Sequence, residues 1–118
     1  MRSYPRIAVV VTCLALLIAA PSSAATIPDS DAAQHVGETV SVRGVVAGVY
    51  TSRSNTTFVS FGRPYPNHTF TAVIFSSASS RFKDPQRWEG KTITVTGKVK
   101  LYKGKPEIVL ETPSQVSE

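Results

Sequence analysis

Side chains that could perform acid–base chemistry are few in this sequence. It contains two histidines, His35 and His68, and eight acidic residues, which lie mostly toward the ends of the region after position 24. No Gly-x-Ser-x-Gly nucleophile elbow, phosphate-binding glycine loop or His-Glu-x-x-His pair occurs. The sequence therefore favours a protein that is not an enzyme, and it predicts no cofactor.

Asp29, Asp31 and His35 form the one short group that resembles a set of metal ligands, because carboxylates and imidazole bind divalent cations. The same residues suit a single helical turn that is capped by the aspartates and ends at Gly37. In that turn, the acids lie at the positive end of the helix dipole and the histidine at the negative end. We favour the helical interpretation and predict no metal site.

Basic side chains dominate the middle of the chain. The whole sequence has 13 Lys and Arg against 8 Asp and Glu, and positions 40–110 hold eleven basic residues against three acidic ones. A basic domain attracts polyanions, nucleic acids foremost. A lysine-rich face that protects the edge of a sheet from unwanted pairing is the structural alternative.

Aromatic side chains near these cations could stack on bases, a contact worth about 1–3 kcal/mol per base. The candidates are Phe58, Tyr65, Phe70 and Tyr102, each of which competes with a place in the core, whereas Trp88 is predicted to fill the core. The predicted nucleic-acid-binding residues are Arg53, Tyr65, His68, Lys98, Lys100, Tyr102, Lys103 and Lys105.

Residues 1–24 have the layout of a secretory signal peptide. Arg2 and Arg6 precede an apolar run over 7–20, and small residues suited to cleavage after Ala24 follow. The run is shorter than the roughly 20 residues that a membrane span needs, and Cys13 lacks the context of a lipidated cysteine. We expect a periplasmic or secreted protein without a membrane anchor, and a mature chain without cysteine or disulfide.

The remaining region, 25–118, is predicted to be a single all-β domain. It contains 16 Val and Ile against 2 Leu, a ratio typical of strands. Period-two alternation predicts five strands, and it turns Val40, Val42, Val46 and Leu101 inward. The strands cover 38–50, 57–61, 69–75, 92–102 and 107–111. Gly44 and Gly48 predict a bulge in the first strand, and a loop with one short helix at 85–88 separates the third strand from the fourth.

This order matches the OB-fold, a five-stranded Greek-key barrel. The stretches AAQHVGETVSVRGVV, FVSFGRPYPNHTFTAVIF and WEGKTITVTGKVKLYKGKPEIVLETPSQV resemble small exported bacterial OB-fold domains of the nucleic-acid-binding type. The resemblance covers about residues 32–116. It implies a ligand surface formed by the second and third strands together with the loops between strands one and two and between strands four and five.

These observations lead to two functional hypotheses. The first is a non-catalytic exported OB-fold module that binds single-stranded nucleic acid or another polyanion, with an exported nuclease or an envelope protein as a further partner. The alternative is a periplasmic module of envelope stress that binds a protein or an oligosaccharide and has no role with nucleic acid. Salt-dependent binding of single strands separates the two hypotheses.

Overall fold

The computed structural model describes residues 24–118, so the predicted signal peptide lies outside the described residues except for Ala24. The described strands are β1 Thr26–Pro28, β2 Thr39–Thr51, β3 Thr57–Phe61, β4 Phe70–Ile74, β5 Thr92–Lys98, β6 Lys100–Tyr102, β7 Lys105–Val109 and β8 Val116–Ser117. Short 3₁₀ helices cover Asp29–His35, Ser76–Arg81, Pro85–Trp88 and Pro113–Gln115. Within this part of the chain, no helix is both long and apolar enough for a membrane crossing.

The strands form one mixed sheet, which confirms the all-β prediction. The strand order is β6-β7-β4-β3-β2-β5-β8, and β1 pairs with β2 outside this path. Pairing is parallel between β4 and β7 and between β1 and β2, and antiparallel elsewhere. The predicted number of five strands is wrong for the described residues. Two added strands, β1 and β8, are too short to show alternation, and the predicted strand 92–102 divides at Val99.

The core follows the alternation of the strands, because successive side chains of a strand point to opposite sides of the sheet. The buried residues include the predicted inward positions Val40, Val42 and Val46. Leu101 is an exception, since it is 54% exposed. It belongs to β6, a three-residue strand at the edge of the sheet in which all residues are exposed.

A bulge in β2 changes which side chains face the core. The register of β2 against β3 shifts between Val46 and Gly48, at one of the two predicted glycines. A bulge adds one residue to its strand, so the inward and outward positions exchange beyond it. Val49 therefore packs against the core, and Tyr50 points away from it with 64% of its surface exposed.

The helix Asp29–His35 carries the fully buried Ala32 against the sheet. The predicted capping by the aspartates is wrong, because Pro28 is the N-cap and no side chain caps the helix. The Asp29 carboxylate instead accepts a hydrogen bond from the Thr69 hydroxyl. The helix is therefore tied to the chain segment that enters β4.

Two helices, rather than the predicted one, connect β4 to β5. The predicted helix is present as Pro85–Trp88, and its Trp88 is buried in the core as expected. The additional helix, Ser76–Arg81, lies where the sequence predicted a loop. Its buried Ala78 is the apolar anchor, and one such residue is too weak a signal for a helical pattern.

Candidate nucleic-acid interface

Five strands contribute side chains to the side of the sheet opposite the core, which we call the outer face; most of these side chains are buried or half-buried, and Tyr50 and Lys100 are exposed. Its side chains form two rows across β2, β3, β4, β7 and β6, because paired residues of adjacent strands lie on the same side of a sheet. The first row is Tyr50, Phe58, Val73 and Val109, and the second is Ser60, Thr71, Glu107 and Lys100.

An aromatic pair occupies one end of the outer face. The rings of Tyr50 and Phe58 are stacked, with centroids 6.4 Å apart and an interplanar angle of 19°. The adjacent loop between β2 and β3 carries the exposed Arg53. This loop is held in place because the Asn55 side chain donates a hydrogen bond to the Ser79 hydroxyl over 2.8 Å. A flat apolar surface thus lies beside an exposed cation.

The middle of the outer face is polar. Ser60, Thr71 and Glu107 are all buried, while Lys100 opposite Glu107 is exposed. Burial raises the pKa of the Glu107 carboxyl, and the positive charge of Lys100 acts in the opposite direction. The floor of the surface therefore has an incompletely hydrated carboxylate beside a solvated ammonium group.

The turn between β6 and β7 forms the other end of the outer face. Lys103 and Gly104 both have positive φ, 51° and 80°, the conformation of a two-residue hairpin turn that glycine adopts without strain. Tyr102 is 56% exposed, and the Lys103 Nζ lies 5.4 Å from the centroid of its ring. Tyr102 and Lys103 therefore form a second aromatic surface with an adjacent cation.

Lys105 holds the neighbouring loop in place. Its Nζ donates hydrogen bonds of 2.8 Å to the carbonyl oxygens of Pro66 and of His68, which joins the hairpin to the segment between β3 and β4. In that segment, the rings of Tyr65 and His68 are stacked with centroids 5.6 Å apart. Lys105 was predicted to contact nucleic acid, and in the structure its ammonium group donates to the loop that carries Tyr65.

The surroundings of His68 favour the neutral form of its ring. Burial lowers the pKa of its imidazole, and the nearby positive charge of Lys105 lowers it further. Its Nδ1 is buried and has no hydrogen-bond partner among the described residues. The neutral ring is suited to stacking with Tyr65, whose side chain is 78% exposed.

The structure brings most predicted site residues to the outer face or its rim. Those at the hairpin end are Tyr65, His68, Tyr102, Lys103 and Lys105. Lys100 lies in the polar middle and Arg53 at the opposite end. Along β7, the two ends are four residues apart, which corresponds to about 13 Å, and the three to four strand spacings between the aromatic pair and Tyr102 add roughly 14–19 Å across the sheet.

Two predicted candidates lie elsewhere. Lys98 is opposite Thr39 in the β5–β2 pair, because the chain divides at Val99 before it reaches β6. Phe70 is fully buried and packs edge to face on Phe61, with ring centroids 5.1 Å apart. The prediction of Phe70 as a stacking residue is therefore wrong, since the start of β4 turns it into the core.

Two residues of the outer face were missed by the sequence analysis. Tyr50 is an even number of residues from the buried Val40 and Val42, so alternation alone would turn it inward, and only the bulge turns it outward. Glu107 was counted as one of the acids, although its position opposite Lys100 places it in the middle of the surface. The glycine at position 48 was the available signal for Tyr50, and no comparable signal existed for Glu107.

The cations of the outer face are not neutralised by ion pairs. In the range 24–118, the ion pairs are His35–Glu38, over 2.9 Å, and Arg87–Glu118, over 2.6 Å. The same range contains no group of three or more potential metal ligands, and Asp29 and His35 contact Thr69 and Glu38 instead. Arg53 and Lys103 are therefore available to an anionic partner.

Comparison with known proteins gives a likeness of fold. No family model and no curated protein matches the chain. A solved structure described as an aspartyl-tRNA synthetase from Leishmania major Friedlin is similar, with a TM-score of 0.51 and 12% sequence identity. The match covers 86% of this chain and 22% of the other, so the chain spans about a fifth of that protein's length. At this identity the likeness concerns the fold alone.

Proposed function

We propose that residues 25–118 form a non-catalytic OB-fold module that binds single-stranded nucleic acid through the outer face. One observation carries the proposal: an exposed tyrosine lies at each end of the face, and each end also carries a basic side chain without an ion pair among the described residues. Tyr50, stacked on the half-buried Phe58, lies where β2 enters the loop that carries Arg53, and Tyr102 lies beside Lys103 at the other end.

The order of the elements supports the OB-fold part of the proposal. A bent strand, two further strands, a helical connection and two final strands are the sequence of elements in that fold. Val99 alone separates β5 from β6, so the chain connects the β2–β5 side of the sheet to its opposite edge. The similar solved structure is described as a tRNA synthetase, which favours a nucleic acid over a glycan as the ligand.

The chemistry of the face favours single strands over duplexes. An aromatic side chain stacks on a base only when the base is unpaired and its ring is accessible, whereas basic side chains near the rings attract the phosphates of the same strand. Because stacking depends on ring faces that all bases have, this contact tolerates many sequences. The predicted signal peptide extends the proposal to an exported protein, whose ligand would be nucleic acid outside the cytoplasm or held by an exported nuclease.

Titration of fluorescently labelled dT15 and rU15 with the purified protein tests the proposal. We expect affinity to fall with rising salt, with a slope of about 0.7 per phosphate contacted. The double variant Arg53→Gln/Lys103→Gln should reduce that slope by about 1.4, because two phosphate contacts are lost. Lys83→Gln is the matched control, since Lys83 is exposed but lies outside the outer face, and it should leave the slope unchanged.

Two outcomes would contradict the proposal. Absence of binding to both strands at about 50 mM salt would remove nucleic acid as the ligand, because low salt favours phosphate contacts. Equal competition by inorganic polyphosphate would show that charge alone is recognised, and that the aromatic rings have no part in binding.

A further inference from the structure

Glu107 is an unexpected residue at the centre of a face proposed to bind a polyanion. Its side chain is on the outer face opposite Lys100, and the residue is 7% exposed. The two ion pairs of the described residues do not involve it. An unpaired carboxylate in such a place repels phosphate, and its burial costs folding free energy, so its presence calls for a favourable contact with the ligand.

Tyr102 is an aromatic residue of the outer face on β6, the strand that pairs with the strand of Glu107. In the β6–β7 pair, Tyr102 lies opposite Lys105, and Glu107 follows two residues later on the same face. Such diagonal neighbours are about 7–8 Å apart, within reach of aromatic and long side chains. A base stacked on Tyr102 therefore has its hydrogen-bonding edge near the Glu107 carboxylate and the Lys100 ammonium group.

We propose, on the basis of the function proposed above, that Glu107 selects guanine among unpaired bases. The Watson–Crick edge of guanine presents two adjacent donors, N1–H and the N2 amino group, which match the two oxygens of a carboxylate. The adjacent guanine O6 is an acceptor for Lys100. Cytosine and adenine each present one amino group beside a ring acceptor, and thymine presents one N–H between two carbonyls, so none of them satisfies both oxygens.

The environment of Glu107 strengthens this selection. Burial has already removed part of the water around the carboxylate, which is why the pKa of Glu107 is raised. A poorly hydrated acceptor gains more from new donors than a solvated one, because less water has to be displaced. The neighbours Ser60 and Thr71 are likewise buried, so the contact is formed on a floor with little access to water.

Binding of single strands that differ at one base tests the inference. We expect the protein to bind dT7-dG-dT7 about tenfold more tightly than dT15, as one bidentate contact between a side chain and a base allows. Replacement of the guanine by inosine, which lacks the N2 amino group, should remove most of that preference. Glu107→Gln should abolish the preference and bind dT15 at least as tightly as the unchanged protein, because a negative charge is removed.

Glu89→Gln is the matched control, since it removes the same charge from an exposed residue that lies outside the outer face. It should retain the guanine preference, and thermal unfolding should show that both variants are folded. Equal binding of guanine and inosine strands by the unchanged protein would overturn the inference even if Glu107→Gln did not fold. Binding of all strands without a guanine preference would overturn this inference alone, whereas absence of all binding would overturn the proposed function as well.

Discussion

The outer face and the surface around Trp88 contain the same kinds of side chains, but these side chains have different partners. We call the second surface the tryptophan cleft. Its volume is about 250 Å³, and it is lined by Arg81, Phe82, Lys83, Arg87, Trp88, Pro113, Val116 and Glu118. Trp88 Nε1 donates a hydrogen bond of 3.0 Å to the Glu118 carboxylate, and Arg87 forms an ion pair with the same group.

On the outer face, Lys105 also donates to carbonyl oxygens, but Tyr50, Tyr102 and Lys103 have no such hydrogen-bond or ion-pair partners among the described residues. Tyr50 and Tyr102 are more than half exposed, and no ion pair within 24–118 involves Lys103. In the tryptophan cleft, even Arg81 donates to a backbone carbonyl oxygen, that of Glu111, over 3.0 Å. Aromatic and basic residues thus indicate a binding surface only where the fold leaves their faces and charges without internal partners.

The largest expected effect is on stability. Trp88→Ala should reduce the free energy of unfolding by about 3–5 kcal/mol, because a large buried ring is removed from the core. Tyr102→Ala should change it by less than about 0.5 kcal/mol, since this ring is exposed. Urea denaturation measures both, and a similar loss in the two variants would show that the outer face is part of the structural core.

Binding affinity should be more sensitive to substitutions on the outer face than to substitutions in the tryptophan cleft. Tyr102→Ala and Phe58→Ala should each weaken the binding of dT15 by about 1–3 kcal/mol, the contribution of one stacked base. Arg87→Gln is the control, because its guanidinium is already paired with Glu118 and is not available to phosphate. Fluorescence anisotropy at one salt concentration gives the values, and a larger loss for Arg87→Gln would place the ligand in the tryptophan cleft.

Much of this comparison could be predicted from the sequence. Alternation identified the inward residues Val40, Val42 and Val46 of β2, because a strand keeps one face in the core over most of its length. Trp88, outside the strands, was also correctly predicted to fill the core. The alternation depends on neighbours along one strand, which the sequence shows directly.

The parts that failed depend on contacts between distant segments. Gly44 and Gly48 predicted a bulge in β2, but pairing with β3 decides which of the two glycines it uses, and the exposure of Tyr50 follows from that choice. Lys105 looks like a free cation in the sequence, yet it donates to carbonyl oxygens of the loop that follows β3. Partners of a side chain that are more than 30 residues away in the chain leave no local pattern.

Lys105 and Lys103 allow the comparison to be sharpened within one hairpin. Lys105→Gln should cost about 1 kcal/mol of stability, because two carbonyl oxygens lose a charged donor. Lys103→Gln should leave stability nearly unchanged and reduce the salt slope of binding by about 0.7. Thermal unfolding and fluorescence anisotropy are measured on both variants. If only Lys105→Gln reduced the salt slope of binding, Lys105 and not Lys103 would be the lysine that contacts phosphate.

The smallest expected effect is a difference in pH dependence between the two surfaces. Burial raises the pKa of Glu107 above its ordinary value of 4.5, so the folded state binds a proton more tightly than the unfolded state does. The stability that this group contributes is present below about pH 4.5 and is lost as pH rises. Relative to the unchanged protein, Glu107→Gln should therefore gain stability as pH rises through the ordinary carboxyl pKa, from about 3 to about 6.

Glu118 should behave in the opposite way. Hydrogen bonds from Trp88 and Arg87 lower the pKa of its carboxyl, so its contribution is present above about pH 4.5 and is lost as pH falls. Glu118→Gln should thus lose stability relative to the unchanged protein as pH rises. Because Glu118 is exposed, about 0.5 M salt should reduce its effect and leave that of the buried Glu107. The measurement is the stability of each variant minus that of the unchanged protein, plotted against pH. If both differences changed in the same direction with pH, the opposite pKa shifts of Glu107 and Glu118 would be contradicted.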